Sequence, residues 1–167
     1  MVRHIDFFLD MHLRGRPAIV GYIILGALLI SVVAFLAAGN RRAERILYFP
    51  REHGKGLVAE PRFLALHSGL EGNITELVNS VLLGPGRHDE ARLFPRGATV
   101  RAVMLRGRTL YLDLTSRVLD TDPELPLNGP GAFDALGKSI RLNFPSVHEI
   151  VLYVDGQVPH FPEKKNI

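Results

Sequence analysis

Residues 109–115 read TLYLDLT, in which Leu110, Leu112 and Leu114 alternate with Thr109, Tyr111, Asp113 and Thr115. A strict period of two predicts a strand that turns its leucines to a core and carries Tyr111 and Asp113 on the opposite face. The run before it, 99–105, is also β-rich, and Arg106-Gly107-Arg108 between them supplies a glycine for the positive φ of a tight hairpin. Downstream, 147–154 alternates in the same way. His148, Ile150, Leu152 and Val154 lie on one side, Val147, Glu149, Val151 and Tyr153 on the other, and Asp155-Gly156 closes the run as a turn former.

Two helices are expected around these strands. In the first, Asn73 and Glu76 have capping-box spacing, and Ile74, Leu77, Val78, Val81 and Leu82 form one apolar stripe that Gly84-Pro85-Gly86 ends. In the second, Phe133, Leu136, Gly137, Ile140 and Phe144 share a face that stops before Pro145. Upstream, residues 46–49 are a short strand stopped by Pro50, and 56–66 is an extended run that Pro61 marks as an edge or a bulge. The order β-β-α-β-β-α-β predicts an α+β fold in which two helices pack on one face of a single mixed sheet.

The 167 residues are 47% hydrophobic, but unevenly so. Residues 17–39 contain no charge and would extend roughly 33 Å as a helix, close to the roughly 30 Å of bilayer hydrocarbon. Arg14 and Arg16 precede this run and Arg41, Arg42 and Arg45 follow it, so cationic side chains can reach headgroups at both ends. The apolar length exceeds that of a cleavable signal, although Ala37-Ala38-Gly39 offers small residues to a peptidase. The expected organisation is an N-terminal tail at 1–16, a transmembrane helix at 17–39, one domain at 44–160 and a tail at 161–167. The flanking charges nearly balance and do not orient the span. There is no cysteine, hence no disulfide framework, thiolate metal site or lipidated cysteine. Residues 41–167 carry 17 Lys and Arg against 15 Asp and Glu. Those signs are interspersed, and the pattern is not that of a nucleic-acid binder.

The runs 46–50 (ILYFP), 74–86 (ITELVNSVLLGPG), 93–103 (LFPRGATVRAV), 109–119 (TLYLDLTSRVL) and 144–157 (FPSVHEIVLYVDGQ) together resemble the GerMN, or GerM-type sporulation and germination, domain. The resemblance spans roughly residues 44–158 and is carried by Gly84, Pro85, Pro95, Gly97, Asp113, Asp155 and Gly156. It implies an extracytoplasmic domain of the bacterial envelope with no established catalytic residues, similar in fold to small ring-building modules of secretion and sporulation assemblies. The resemblance also implies the orientation, with the 1–16 tail cytoplasmic and the domain outside a single-pass inner-membrane helix. Arg141 departs from the pattern, standing where relatives favour a small or hydroxylated residue, and one copy is present where some relatives have two. A role in germination is not carried over.

The glycines and prolines of that pattern suit turns and element ends. Asp113 has two readings, a carboxylate satisfied by loop N–H groups or a contact to a partner, and Tyr111 shares its outward row. The candidate interaction residues are therefore Gly84, Pro85, Pro95, Gly97, Tyr111, Asp113, Asp155 and Gly156.

Catalytic constellations do not assemble in the sequence. None of the seven histidines forms the His-Glu-x-x-His helix of a zinc peptidase, and Ser68 and Ser80 lack a nucleophile elbow. His88-Asp89-Glu90 cannot converge on one ion unaided, and Asp120, Asp122 and Glu124 fall in a proline-rich loop. The expectation is a non-catalytic interaction or assembly module without cofactor or metal. Its partners would be the membrane it spans and envelope proteins, further copies of itself or cell-wall glycan, with no nucleic acid. An envelope hydrolase with an unrecognised site is the alternative.

Overall fold

The computed structural model describes residues 19–34, 41–127 and 129–160. The chain divides into two compact units, Met1–Asn40 and Arg41–Ile167. In the first, residues 19–34 form helix α1, and its large side chains, among them Ile19, Tyr22, Leu25 and Ile30, are exposed. Among the described residues no helix is long and apolar enough to cross a membrane. The rest of the span expected at 17–39, and the tails expected at 1–16 and 161–167, lie outside the described residues.

The second unit runs β1 (Arg42–Pro50), β2 (Leu57–Ala65), α2 (Leu70–Leu83), β3 (Val100–Arg106), β4 (Thr109–Leu114), a short 3-10 helix (Ser116–Leu119), α3 (Gly129–Asn143) and β5 (Glu149–Val154). The class is α+β. The single mixed sheet expected from the sequence is instead two sheets, an antiparallel pair β1-β2 and a three-stranded sheet β3-β4-β5. In the latter β4 is antiparallel to β3 and parallel to β5.

The separation has a physical cause in the strand edges. The outer edge of β1 bonds to helix α3 and not to a strand: Ile46 N–H donates to Asn143 Oδ1 at 3.0 Å, Asn143 Nδ2 donates to Ile46 O at 2.7 Å, and Tyr48 N–H donates to Ser139 Oγ at 2.9 Å. Asn143 thus presents its amide as a neighbouring strand would present a peptide group. The outer edge of β3 meets helix α2, where Glu71 Oε1 accepts from Leu105 N–H at 2.7 Å. With these two edges met by helix side chains, β1 and β3 do not pair with each other, and the hairpin and the three-stranded sheet stay separate.

One core serves both sheets. Leu110, Leu112 and Leu114 are fully buried with Leu47 and Phe49 of β1, Ile74, Leu77 and Val78 of α2, and Ile140 of α3. Helix α2 begins earlier than the capping box predicts. Gly69 precedes the first turn without a side-chain cap, and Asn73 lies inside the helix. There it holds the incoming loop, accepting from His67 N–H at 2.9 Å and donating to the carbonyls of His67 and Gly69. A polar amide one turn into the helix serves the loop equally well, which is why spacing alone misplaced the start.

Candidate functional site

Asp113 and Asp155 lie at the end of the three-stranded sheet where β4 and β5 run out side by side. Asp113 pairs with Tyr153 across the parallel ladder, and its Oδ1 accepts from Gly156 N–H at 3.0 Å. Its Oδ2 is 3.5 Å from Nε of Arg101, a residue beside the irregularity in β3. The Arg101 guanidinium also bonds Asp155 Oδ1, and Asp155 Oδ2 accepts from Ser116 N–H at 3.1 Å. Hydrogen bonds from Ser116 and Arg101 hold the Asp155 carboxyl below the usual range. Asp155 and Gly156 have φ of 49° and 78°, and Val154 and Gln157 exchange backbone bonds across them. This is the left-handed two-residue turn that an Asp-Gly pair favours. The two acidic motif residues therefore tie three chain segments together, and of the two readings of Asp113 the structure places its carboxylate against loop N–H.

Among the described residues no helix packs on the face of this sheet opposite the leucines. Ala102, Met104 and Arg106 of β3, Tyr111 and Asp113 of β4, and Tyr153 of β5 line a shallow depression of about 410 Å³ on it. Met104 pairs with Tyr111 across the hairpin, so the exposed thioether and the half-buried phenol are neighbours.

Gly84, Pro85, Pro95 and Gly97 lie apart from that face. Gly84 ends α2 with φ 94°, and a Cβ there would lie 3.1 Å from the Arg92 side chain. Arg62 reaches the same helix end, donating to Ser80 O at 3.1 Å and Gly84 O at 2.8 Å, while Arg92 donates to Leu82 O. Two guanidinium groups thus take up terminal carbonyls that the helix cannot satisfy itself. Pro95 and Gly97 form the turn before β3, closed by Ala98 N–H to Pro95 O.

Beneath the α2 terminus lies a pair of acids. Glu60 bonds Arg62 Nε at 2.6 Å and accepts from Gly86 N–H. Beside it the Glu90 side chain is wholly buried, with Arg87 Nε 3.5 Å from its Oε1, and neither oxygen accepts a hydrogen bond among the described residues. Burial, and then the neighbouring Glu60 carboxylate, push the Glu90 carboxyl up to about 7. Burial also raises Glu60, but bonds from Arg62, Glu90 and Gly86 outweigh it and hold Glu60 low. A proton retained on Glu90 lets it donate to Glu60, as expected of two acids sharing a buried site. Asp120 and Asp122 line a separate open depression of about 820 Å³ with His160, and Asp122 Oδ1 accepts from Glu124 N–H at 3.0 Å. His53, His88 and Asp89 border a third. Among the described residues no group of three or more acids, histidines or cysteines is placed to hold a metal.

The sequence profile of the Germane family, described as sporulation and spore germination, matches residues 46–159. The chain belongs to that family. Its Germane domain shares its fold with the first GerMN domain of the Bacillus subtilis sporulation protein GerM, at a TM-score of 0.55, 16% identity and coverage of 70% of this chain and 86% of that one. The tandem GerMN domains of the same protein match at 0.55 and 17%, over 74% of this chain and 43% of theirs. A curated relative, an uncharacterized lipoprotein of Treponema pallidum (strain Nichols), is 33% identical over 86 residues, which is 52% of this chain and 63% of that relative. The chain thus spans less than two thirds of that relative's length. In the Germane domain described here, the motif residues Asp113, Asp155 and Gly156 build one turn cluster, whereas Gly84 and Pro85 build another around Glu60 and Arg62. Sequence reasoning passed over Glu60 and Arg62, and weighed Glu90 only as one of three adjacent loop side chains that could hold a metal. One signal was available, because Glu60 falls in the inward row Val58, Glu60, Arg62, Leu64 of a strand, and an acid in an inward row needs a partner.

Proposed function

We infer that the protein is a membrane-anchored, extracytoplasmic, non-catalytic module of the bacterial cell envelope that engages a protein partner. The uncovered face of β3-β4-β5 carries this reading. Met104, Tyr111 and Tyr153 give it amphipathic contact area around a shallow concavity, and such residues are favoured at protein interfaces. Membership of the Germane family and a relative titled as a lipoprotein support placement outside the inner membrane. The chain has no cysteine to carry a lipid. The uncharged run 17–39, of which 19–34 is an exposed apolar helix, takes the anchoring role as a single-pass helix.

The test places a photo-crosslinking residue at Met104 in the full-length protein in cells. Discrete adducts with another envelope protein, absent when the same label replaces Ala59 on β2, are the expected result. No adduct at Met104, or equal labelling at both positions, overturns the reading.

A further inference from the structure

Four strands of the second unit have an outer edge, and three of these edges are blocked. β1 is bonded by Asn143 and Ser139, and β3 by Glu71. On β2, Pro61 faces Ile46 in the ladder. Because Ile46 turns its peptide groups outward to Asn143, Pro61 turns its own outward as well, and it removes the donor from the middle of that edge. Among the described residues β5 carries no such device. Glu149 N–H and Asp155 N–H point to carbonyls of Arg108 and Leu114 on the β4 side, so Ile150, Leu152 and Val154 point theirs away from the sheet. Val154 is taken by Gln157. The outward N–H and C=O groups of Ile150 and Leu152 have no partner among the described residues.

Beside this edge runs a groove of about 160 Å³, floored by Leu112 and Ile140 and flanked by Asp134, Gly137 and Arg141 of α3. Asp134 and Arg141 are two helical turns apart, about 10 Å. Both are exposed, and neither has an ion pair among the described residues. Residues 144–148 turn the chain from the end of α3 into β5, so the strand runs back along the helix. Asp134 and Arg141 border the same groove as Ile150 and Leu152, the two residues that flank Val151.

We propose that the β5 edge is a self-pairing surface on which a second copy of this chain joins antiparallel, β5 to β5, about an axis at Val151, with Asp134 of each α3 facing Arg141 of the other. Ile150 of each copy exchanges backbone hydrogen bonds with Leu152 of the other, and the two Val151 residues meet as a non-hydrogen-bonded pair. The strip is self-complementary in charge, as an isologous interface requires, and the acid and the base are spaced to meet their opposites only when the strands run antiparallel. Arg141 lies across the bare backbone of Gly137, where a Cβ would stand 3.2 Å from Nη1. Its guanidinium swings outward from there to the facing carboxylate. The two sheets become one of six strands, and the uncovered faces become continuous.

The absence of cysteine makes the test direct. Full-length protein carrying Val151→Cys, purified in detergent and mildly oxidised, should give a disulfide dimer as the main product, whereas Ala59→Cys should stay mostly monomeric. Adding Asp134→Arg or Arg141→Asp to Val151→Cys should reduce the dimer at least 5-fold, and the double charge swap should restore it. Equal dimer from Ala59→Cys, no dimer from Val151→Cys, or single charge reversals without effect would overturn the proposal. Tyr111→Ala should leave the crosslink unchanged, so the outcome is separable from the reading of the open face.

Discussion

Glu90 holds its proton to higher pH because burial and the neighbouring Glu60 carboxylate outweigh the Arg87 guanidinium 3.5 Å away, and this gives the fold a defined pH response. The carboxyl titrates near 7 in the folded protein against 4.5 for the free group. The native state therefore binds more protons than the unfolded chain between those values, and stability falls as pH rises from 4.5 through 7, then no longer changes on this account. Glu90→Gln keeps a donor for Glu60 without the ionisation. The variant should gain on the wild type by on the order of 3 kcal/mol at pH 8 relative to pH 4, a difference that urea titrations at both pH values will read. Asp113 makes the opposite case, a charged residue whose value lies in two bonds to other segments. Asp113→Ala leaves Gly156 N–H without its acceptor and Arg101 with Asp155 alone, and should cost about 1–3 kcal/mol. Leu112→Ala in the core should cost about 2–5 kcal/mol. Chemical denaturation of both variants orders them, and an Asp113→Ala protein as stable as the wild type would refute the turn cluster as a structural tie.

Helix α3 acts on β1 as a third strand would, through two side chains in place of a backbone. Asn143→Ala removes the acceptor of Ile46 N–H and the donor to Ile46 O, and should cost about 1–3 kcal/mol. Amide exchange at Ile46 and Tyr48 should quicken more than that at Leu110 or Leu112, a contrast that hydrogen-exchange spectra resolve. This contact also marks the limit of what the sequence discloses. The leucines of β4, the apolar stripe of α2 and the Asp-Gly turn were legible because each is a local pattern of period two, period 3.6 or a dipeptide. The division into two sheets was not, because it depends on Asn143 and Ser139 meeting a strand some ninety residues earlier, and a polar residue on a helix looks the same whether it faces water or a strand edge. Asp113 stood between these cases: its outward direction could be read from alternation, but its partner Gly156, 43 positions away, could not. Glu90 gave less still, since nothing in a polar loop separates a solvated acid from one folded under a helix end.

At the scale of the whole molecule, the charge-free run 17–39 predicts retention by apolar burial and not by charge. The full-length protein should stay in the membrane pellet after carbonate or high salt, and release of a shorter soluble chain would show cleavage near Ala37-Ala38-Gly39. Protease added to cells with a permeabilised outer layer and an intact inner membrane should digest the second unit, and protection would reverse the proposed orientation. The helix-sealed edge of β1 bears on how such a chain matures. Its first strand begins at Arg42, but the amide that completes it comes at Asn143. A polypeptide emerging from its N-terminus at about 5–20 residues per second holds that strand open for several seconds before its closing residue arrives. During that interval the nascent hairpin presents bare peptide groups to whatever lies nearby. A chaperone that binds extended segments would find its target there, and slower synthesis between residues 50 and 143 would lengthen the exposure without altering the finished protein.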